Sequence, residues 1–169
     1  MDLSAHEQEF RRQRLANLEA LKAAGHRPYG RAFERTGSLA DIRAAFAEGL
    51  SVRMAGRIVA VREMGKSIFA HLQDGTDKFQ IYVQKNTLGE EPFAAFRRLD
   101  IGDFIGVCGE LFVTRTGEQS AKVHRWELLA KSLHPLPEKW HGLQDVEIRY
   151  RRRYLDLIAN PDEIGRAHV

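Results

Sequence analysis

The sequence predicts a mainly β fold with helices: a small five-stranded barrel preceded by N-terminal helices. Three observations predict it. Hydrophobic residues make up 43% of the 169 residues, enough for a packed core. Apolar residues recur at helical spacing in the first part of the chain and at a strand-like period from Ser51 onward. Glycines, with Asp74-Gly75 and Thr116-Gly117, punctuate the second part at short intervals, as turns between short strands do.

The elements follow in order. Residues 7–24 read as a helix with Leu15, Leu18 and Leu21 on its buried face, and Gly25 as its stop. Its basic residues Arg11, Arg12 and Arg14 could face solvent, RNA or a partner subunit. Pro28, Gly30 and Gly37 mark a connection. Ser38 with Asp41 has capping-box spacing and opens a short helix that buries Leu39, Ile42 and Phe46 and ends at Gly49. A first strand over 52–61 carries Gly56, read as a bulge. A second strand over 67–73 closes at Asp74-Gly75, and a third covers 78–83. Phe93, Phe96 and Leu99 at helical spacing predict a helix over 91–99. A fourth strand over 104–114 turns at Thr116-Gly117 into a fifth over 120–129. The series Gly102, Gly106 and Gly109 fits a strand bent around a small barrel. Three strands, a helix and two strands is the element order of an OB-fold, a Greek-key barrel whose face and loops bind oligonucleotides or sugars.

Composition bounds the function. The net charge of +3 permits a polyanionic partner without demanding one. The single cysteine, Cys108, sits in an apolar run and reads as a small buried residue; it excludes an internal disulfide framework and fits a reducing, cytoplasmic setting. No apolar run is long enough to span a bilayer, and the polar start MDLSAHEQEFRRQR is no signal peptide, so no membrane partner is expected. No Cys/His cluster has zinc spacing, so no metal site is expected. The seven histidines are dispersed, and no P-loop, nucleophile elbow or paired-carboxylate site is present, so no catalytic residue is assigned.

Alternation sorts the strand faces. Ile68, Ala70 and Leu72 form the core set of the second strand, leaving Ser67, Phe69 and His71 outside. In the third, Phe79, Ile81 and Val83 face in, leaving Lys78, Gln80 and Tyr82 outside. If the two strands pair as a hairpin, Phe69, Gln80 and Tyr82 share one exposed face. A ring offers a stacking surface to an unstacked base, and an amide offers a donor and an acceptor to its edge. The alternative is that Phe69 covers the barrel end or packs under a helix and that Gln80 is merely solvated. Arg62 stays open: strict parity from Val52 puts it with the core set, unless Gly56 shifts the register or the strand ends first.

MGKSIF with LQDGTDKFQIYV resembles the OB domain shared by aspartyl-, asparaginyl- and lysyl-type class II aminoacyl-tRNA synthetases. Three further stretches narrow the resemblance to class II lysyl-tRNA synthetases (lysine–tRNA ligases): DIGDFIGVCGELFVTRTGEQS (100–120), LLAKSLHPLPEKWHGLQD (128–145) and EIRYRRRYLDLI (147–158). The likeness runs from about residue 11 to residue 160. It implies a region that reads the U-rich anticodon of lysine tRNA. Carried over by motif, Phe69 stacks on an anticodon uridine, Arg62 and Gln80 bond base edges, and Glu118 of TRTGEQS accepts a uracil N–H. A carboxylate there makes sense only if aimed at a base, because phosphate repels it.

The resemblance also implies a full-length homodimer that forms lysyl-tRNA with ATP and magnesium. The motifs for that chemistry are absent here, so the chain itself is expected to be inactive and to hold no cofactor. The expected organisation is a helical extension (1–49), the anticodon-binding barrel (50–130), a linker towards a class II catalytic domain (131–163) and a non-native tail (164–169). The tail departs from the family pattern, and Ile164 to Val169 can be encoded by ATC GGA AGA GCA CAC GTC, a common sequencing adapter. The competing expectation is a stand-alone OB module for generic single-stranded nucleic acid; the linker stretch argues against it.

Overall fold

The computed structural model describes residues 5–29, 32–134, 146–151 and 153–159. The proposed tail lies outside the described residues. The chain divides into two units, Met1–His134 and Pro135–Val169.

In the first unit, the strands β1 (Ser51–Met64), β2 (Ser67–Gln73), β3 (Lys78–Gln84), β4 (Phe104–Val113) and β5 (Gln119–Ala130) close into a barrel in the order β1-β2-β3-β5-β4. All neighbours are antiparallel except β3 and β5. This is the expected five-stranded OB architecture. Met54, Ile58, Ile68, Leu72, Phe79, Ile81, Ile105 and Leu111 are fully buried inside it. The period-two pattern of β2 and β3 holds at every position: the predicted inward residues are buried and the predicted outward ones are not.

The helices follow local chemistry. Helix α2 (Leu39–Ala44) starts with a complete capping box: the Ser38 hydroxyl accepts from the Asp41 N–H, and the Asp41 carboxylate accepts from the Ser38 N–H. The Ser38 hydroxyl, which donates to the Asp41 carboxylate at 2.6 Å, and then the Ser38 N–H hold the Asp41 carboxyl below its usual range. After β3 comes a single turn, α3 (Lys85–Leu88), which the periodicity does not announce, and then α4 (Glu90–Phe96), which buries Phe93 and Phe96 as expected. Trp126 on β5 meets Phe96 edge-on at 5.4 Å and donates its indole N–H to the Pro92 carbonyl, pinning α4 to the barrel.

Helix α1 (Ala5–Ala23) ends in a Schellman arrangement around Gly25, with Gly25 N–H bonded to Lys22 O and His26 N–H to Leu21 O. Its buried face corrects the leucine-based expectation. Leu15 is 39% exposed, while Arg14 and Asn17 join Leu18 and Leu21 inside. The cause is a buried polar hub. Lys131, with a fully buried side chain, bonds both Asp100 and Asp103. Asn17 donates to Asp100, and Arg14 donates to the carbonyls of Ile101, Ser132 and His134. Arg14 is therefore a structural anchor and is not part of an exposed basic face. Burial pushes the Asp103 carboxyl up, against the Lys131 ammonium and the N–H groups of Asp100 and Ser132.

Two glycines act by close approach. A Cβ at Gly56 would sit 2.9 Å from the Gln73 carbonyl oxygen, and one at Gly109 would collide with the Lys122 carbonyl. Gly56 is thus not the bulge of β1. The register shift falls between Ile58 and Ala60, at Val59. A second shift, between Cys108 and Gly109 of β4, leaves His124 of β5 without a cross-strand partner.

The second unit contains α5 (Val146–Arg151) and α6 (Arg153–Ala159). Arg149 and Arg153 both pair with the buried Asp156, and Arg151 pairs with Glu147. No helix among the described residues is long and apolar enough to cross a membrane.

Candidate nucleic-acid interface

Register brings the candidate side chains to one outer face. Cross-strand partners share a side of the sheet, so each row of partners is a row of neighbouring side chains. One row runs Arg62 (β1), Phe69 (β2), Tyr82 (β3), Lys122 (β5). The next runs Ala60, His71, Gln80, Ser120, Phe112. Phe69 and Gln80 thus lie where alternation puts them.

Arg62 is settled by the bulge at Val59. Ile58 and Val59 are both buried, the parity of β1 then flips, and Arg62 comes opposite Phe69 on the outer face. It is exposed, and its guanidinium has no hydrogen bond or ion pair among the described residues. Its neighbour Glu63 is engaged with Arg97 at 2.8 Å.

Phe69 is half-buried because Tyr82 supports one face of its ring, with centroids 4.8 Å apart. Tyr82 also meets Phe112 at 5.8 Å, and its hydroxyl lies 3.0 Å from the Ser67 hydroxyl. The result is a three-ring ladder, Phe69–Tyr82–Phe112, across three strands. Phe112 escapes the sequence reading because β4 is apolar almost throughout. The signal was Glu110 two residues earlier: a charge at that parity marks the outer face.

Glu118 sits in the tight connection between β4 and β5. Gly117 takes φ of 85°, Thr114 N–H bonds the Glu118 carbonyl at 2.9 Å, and the Thr114 hydroxyl accepts the Glu118 N–H at 3.0 Å. The backbone is fixed while the side chain is exposed, with no carboxylate partner among the described residues. Two residues on, the Ser120 hydroxyl accepts from the Gln80 amide at 2.7 Å. Glu118 therefore leads directly into the strand that faces Gln80. Sequence reasoning missed Ser120, whose short side chain carries no pattern signal.

The face offers stacking surface, an exposed cation, an amide and an exposed carboxylate, with Lys122 alongside. Groups of these kinds can stack on and hydrogen-bond unstacked bases. Among the described residues, no group of three His, Cys, Asp or Glu side chains could hold a metal ion.

Comparison with known proteins agrees with this geometry. Residues 52–136 match the tRNA anticodon family, described as an OB-fold nucleic acid binding domain. The chain belongs to that family. Curated relatives of this anticodon-type domain are lysine–tRNA ligases. That of Pelotomaculum thermopropionicum is 52% identical over 91% of the chain and 31% of the relative. That of Carboxydothermus hydrogenoformans is 50% identical over 91% of the chain and 32% of the relative. That of Aquifex aeolicus is 61% identical over 66% of the chain and 19% of the relative. The chain thus spans about a third or less of the length of these relatives.

Proposed function

We propose that this anticodon-type domain reads the U-rich anticodon of lysine tRNA as the recognition portion of a lysine–tRNA ligase. The observation that carries the reading is the outer face itself: an aromatic ladder ending at Phe69, flanked by the exposed Arg62, with Gln80 one row away and Glu118 at the adjoining turn. Phe69 takes the uridine ring by stacking. Arg62 donates to a base carbonyl, and Glu118 accepts the N–H that distinguishes uracil from cytosine at the same edge. Gln80 supplies a second polar contact. Lys122 adds a cation for the phosphate backbone.

Lysyl-tRNA formation with ATP and magnesium belongs to the ligase length that this chain does not span, and the homodimer is that of the full-length ligase. The chain's own activity is RNA binding in the cytoplasm. Purified protein should give no ATP–pyrophosphate exchange above background; exchange with lysine would overturn that assignment.

The deciding experiment titrates the protein with a UUU-anticodon hairpin and the same hairpin carrying a central C, at fixed near-physiological salt. A wrong base at one well-made contact should weaken binding by about 1–3 kcal/mol, the scale of single-position discrimination in nucleic-acid sites. Equal binding to both would replace this reading with a generic single-strand binder, in which stacking and salt set the affinity.

A further inference from the structure

Ser120 is fully buried, yet its hydroxyl touches two of the groups just described. It lies 2.7 Å from Gln80 Nε2 and 3.3 Å from the Glu118 carbonyl oxygen. A hydroxyl has one hydrogen to give. A carbonyl can only accept, so that hydrogen goes to Glu118. Gln80 must then be the donor in its own bond to Ser120. The nitrogen end of its amide is the end held at β5, and the oxygen end points away from that bond.

The geometry points to Ser120 as a positioning residue that locks the polarity of the Gln80 amide and so adds to the preference for uracil over cytosine that the Glu118 carboxylate gives. This rests on the anticodon reading above. The second N–H of Gln80 remains a donor, and the Glu118 carboxylate at the adjoining turn is an acceptor. Uracil offers an N3–H donor beside carbonyl acceptors. Cytosine offers a bare N3 acceptor beside an amino donor. An acceptor followed by a donor complements uracil and sets like against like for cytosine. An amide free to turn over would swap its N–H and C=O and relieve the clash with the cytosine amino group, leaving only the mismatch between Glu118 and N3. A locked amide cannot do so without leaving a polar group unpaired, which is how a site rejects a near-isosteric competitor. Ser120 is buried beneath this contact and acts through Gln80, not on the base.

The test is a double-mutant cycle on the whole chain. Wild type, Ser120→Ala, Gln80→Ala and the double variant are titrated with the UUU hairpin and its central-C counterpart. In Ser120→Ala the uracil-over-cytosine preference should fall by about tenfold, within the range of a base-edge contact. Much of the fall should come from tighter cytosine binding, with the salt dependence unchanged. In the Gln80→Ala background the Ser120 change should have no further effect. An unchanged preference in Ser120→Ala overturns the inference, as does an equal effect with and without Gln80. A wild type with no preference overturns the anticodon reading and this inference with it. If Ser120→Ala does not fold, nitrogen relaxation of the Gln80 side-chain amide in the wild-type protein decides. Rigidity like that of the backbone supports the lock, and free rotation overturns it.

Discussion

Replacing Phe69 by Ala removes the outermost ring of the ladder and leaves the barrel interior alone. Phe69 lies on the outer side of β2, between the buried Ile68 and Ala70, so the core keeps its packing. The folding cost is the lost contact with Tyr82 at 4.8 Å, about 0.5–1.5 kcal/mol for an aromatic pair beyond its buried area. The binding cost is larger. Stacking of a base on an aromatic side chain contributes about 1–3 kcal/mol, which is roughly a 5- to 150-fold loss in affinity for the UUU hairpin. Phe69 neutralises no phosphate, so the slope of log affinity against log salt should not move. The assay is fluorescence anisotropy of a labelled hairpin at four salt concentrations, with a thermal melt of each protein. Phe69→Leu separates ring from bulk: leucine fills much of the space without a stacking face and should bind like the alanine variant. Wild-type affinity in Phe69→Ala would refute stacking at this position. A loss accompanied by a changed salt slope would show that the substitution had disturbed the cationic surroundings.

Other perturbations reach different parts of the argument. Arg62→Ala should weaken the hairpin by about 1–3 kcal/mol while leaving stability within about 0.5 kcal/mol, because Arg62 is exposed and has no partner among the described residues; paired melts and titrations check both halves. Lys131→Ala strands the buried Asp103 carboxylate and should cost about 3–5 kcal/mol in urea unfolding. The Asp103 carboxyl already lies above its usual range because of burial, and losing the ammonium raises it further. A raised folded-state value contributes stability below the unfolded value and loses it as pH rises through the folded one, so the Lys131→Ala deficit should shrink in acid. Asp74 runs the other way. Burial raises it, but its bonds from Thr76, Leu39 and Asp77 win and hold it below the usual range. Its stabilisation is present above the unfolded value and is lost as pH falls through the folded one, so Asp74→Asn should be less stable than wild type at neutral pH and converge with it in acid.

The legible parts of this chain are those fixed by neighbours within a few residues. The capping box at Ser38 and Asp41, the glycine stop at Gly25, and the inward sets Ile68–Ala70–Leu72 and Phe79–Ile81–Val83 each depend on local periodicity or local hydrogen bonds, and each is found as expected. Helix α1 failed at Leu15 because its docking partner is a polar hub built from Asp100, Asp103 and Lys131, about a hundred residues away in sequence. Apolar spacing carries no information about a face that buries Arg14 and Asn17.

The binding face depends on a subtler non-local property. Alternation is strict within a strand, but an unpaired residue reverses it. Val59 does this on β1 and turns Arg62 out beside Phe69. His124 does the same on β5: Trp126 and Leu128 point inward on one side of it, Ala121 and Val123 on the other, and Ser120 and Lys122 are thereby placed outside against Gln80 and Tyr82. Neither residue has a composition that announces a bulge, and the glycine that suggested one, Gly56, is needed instead for close approach to Gln73. An OB barrel has to bend and close over few strands, so the bulges serve closure first. By serving closure they also deliver a cation from β1 and a hydroxyl from β5 to the same outer face as the ring of β2 and the amide of β3. The candidate site is in this sense a by-product of how the barrel shuts, which is why single-strand pattern could name Phe69 and Gln80 but could only leave Arg62 open.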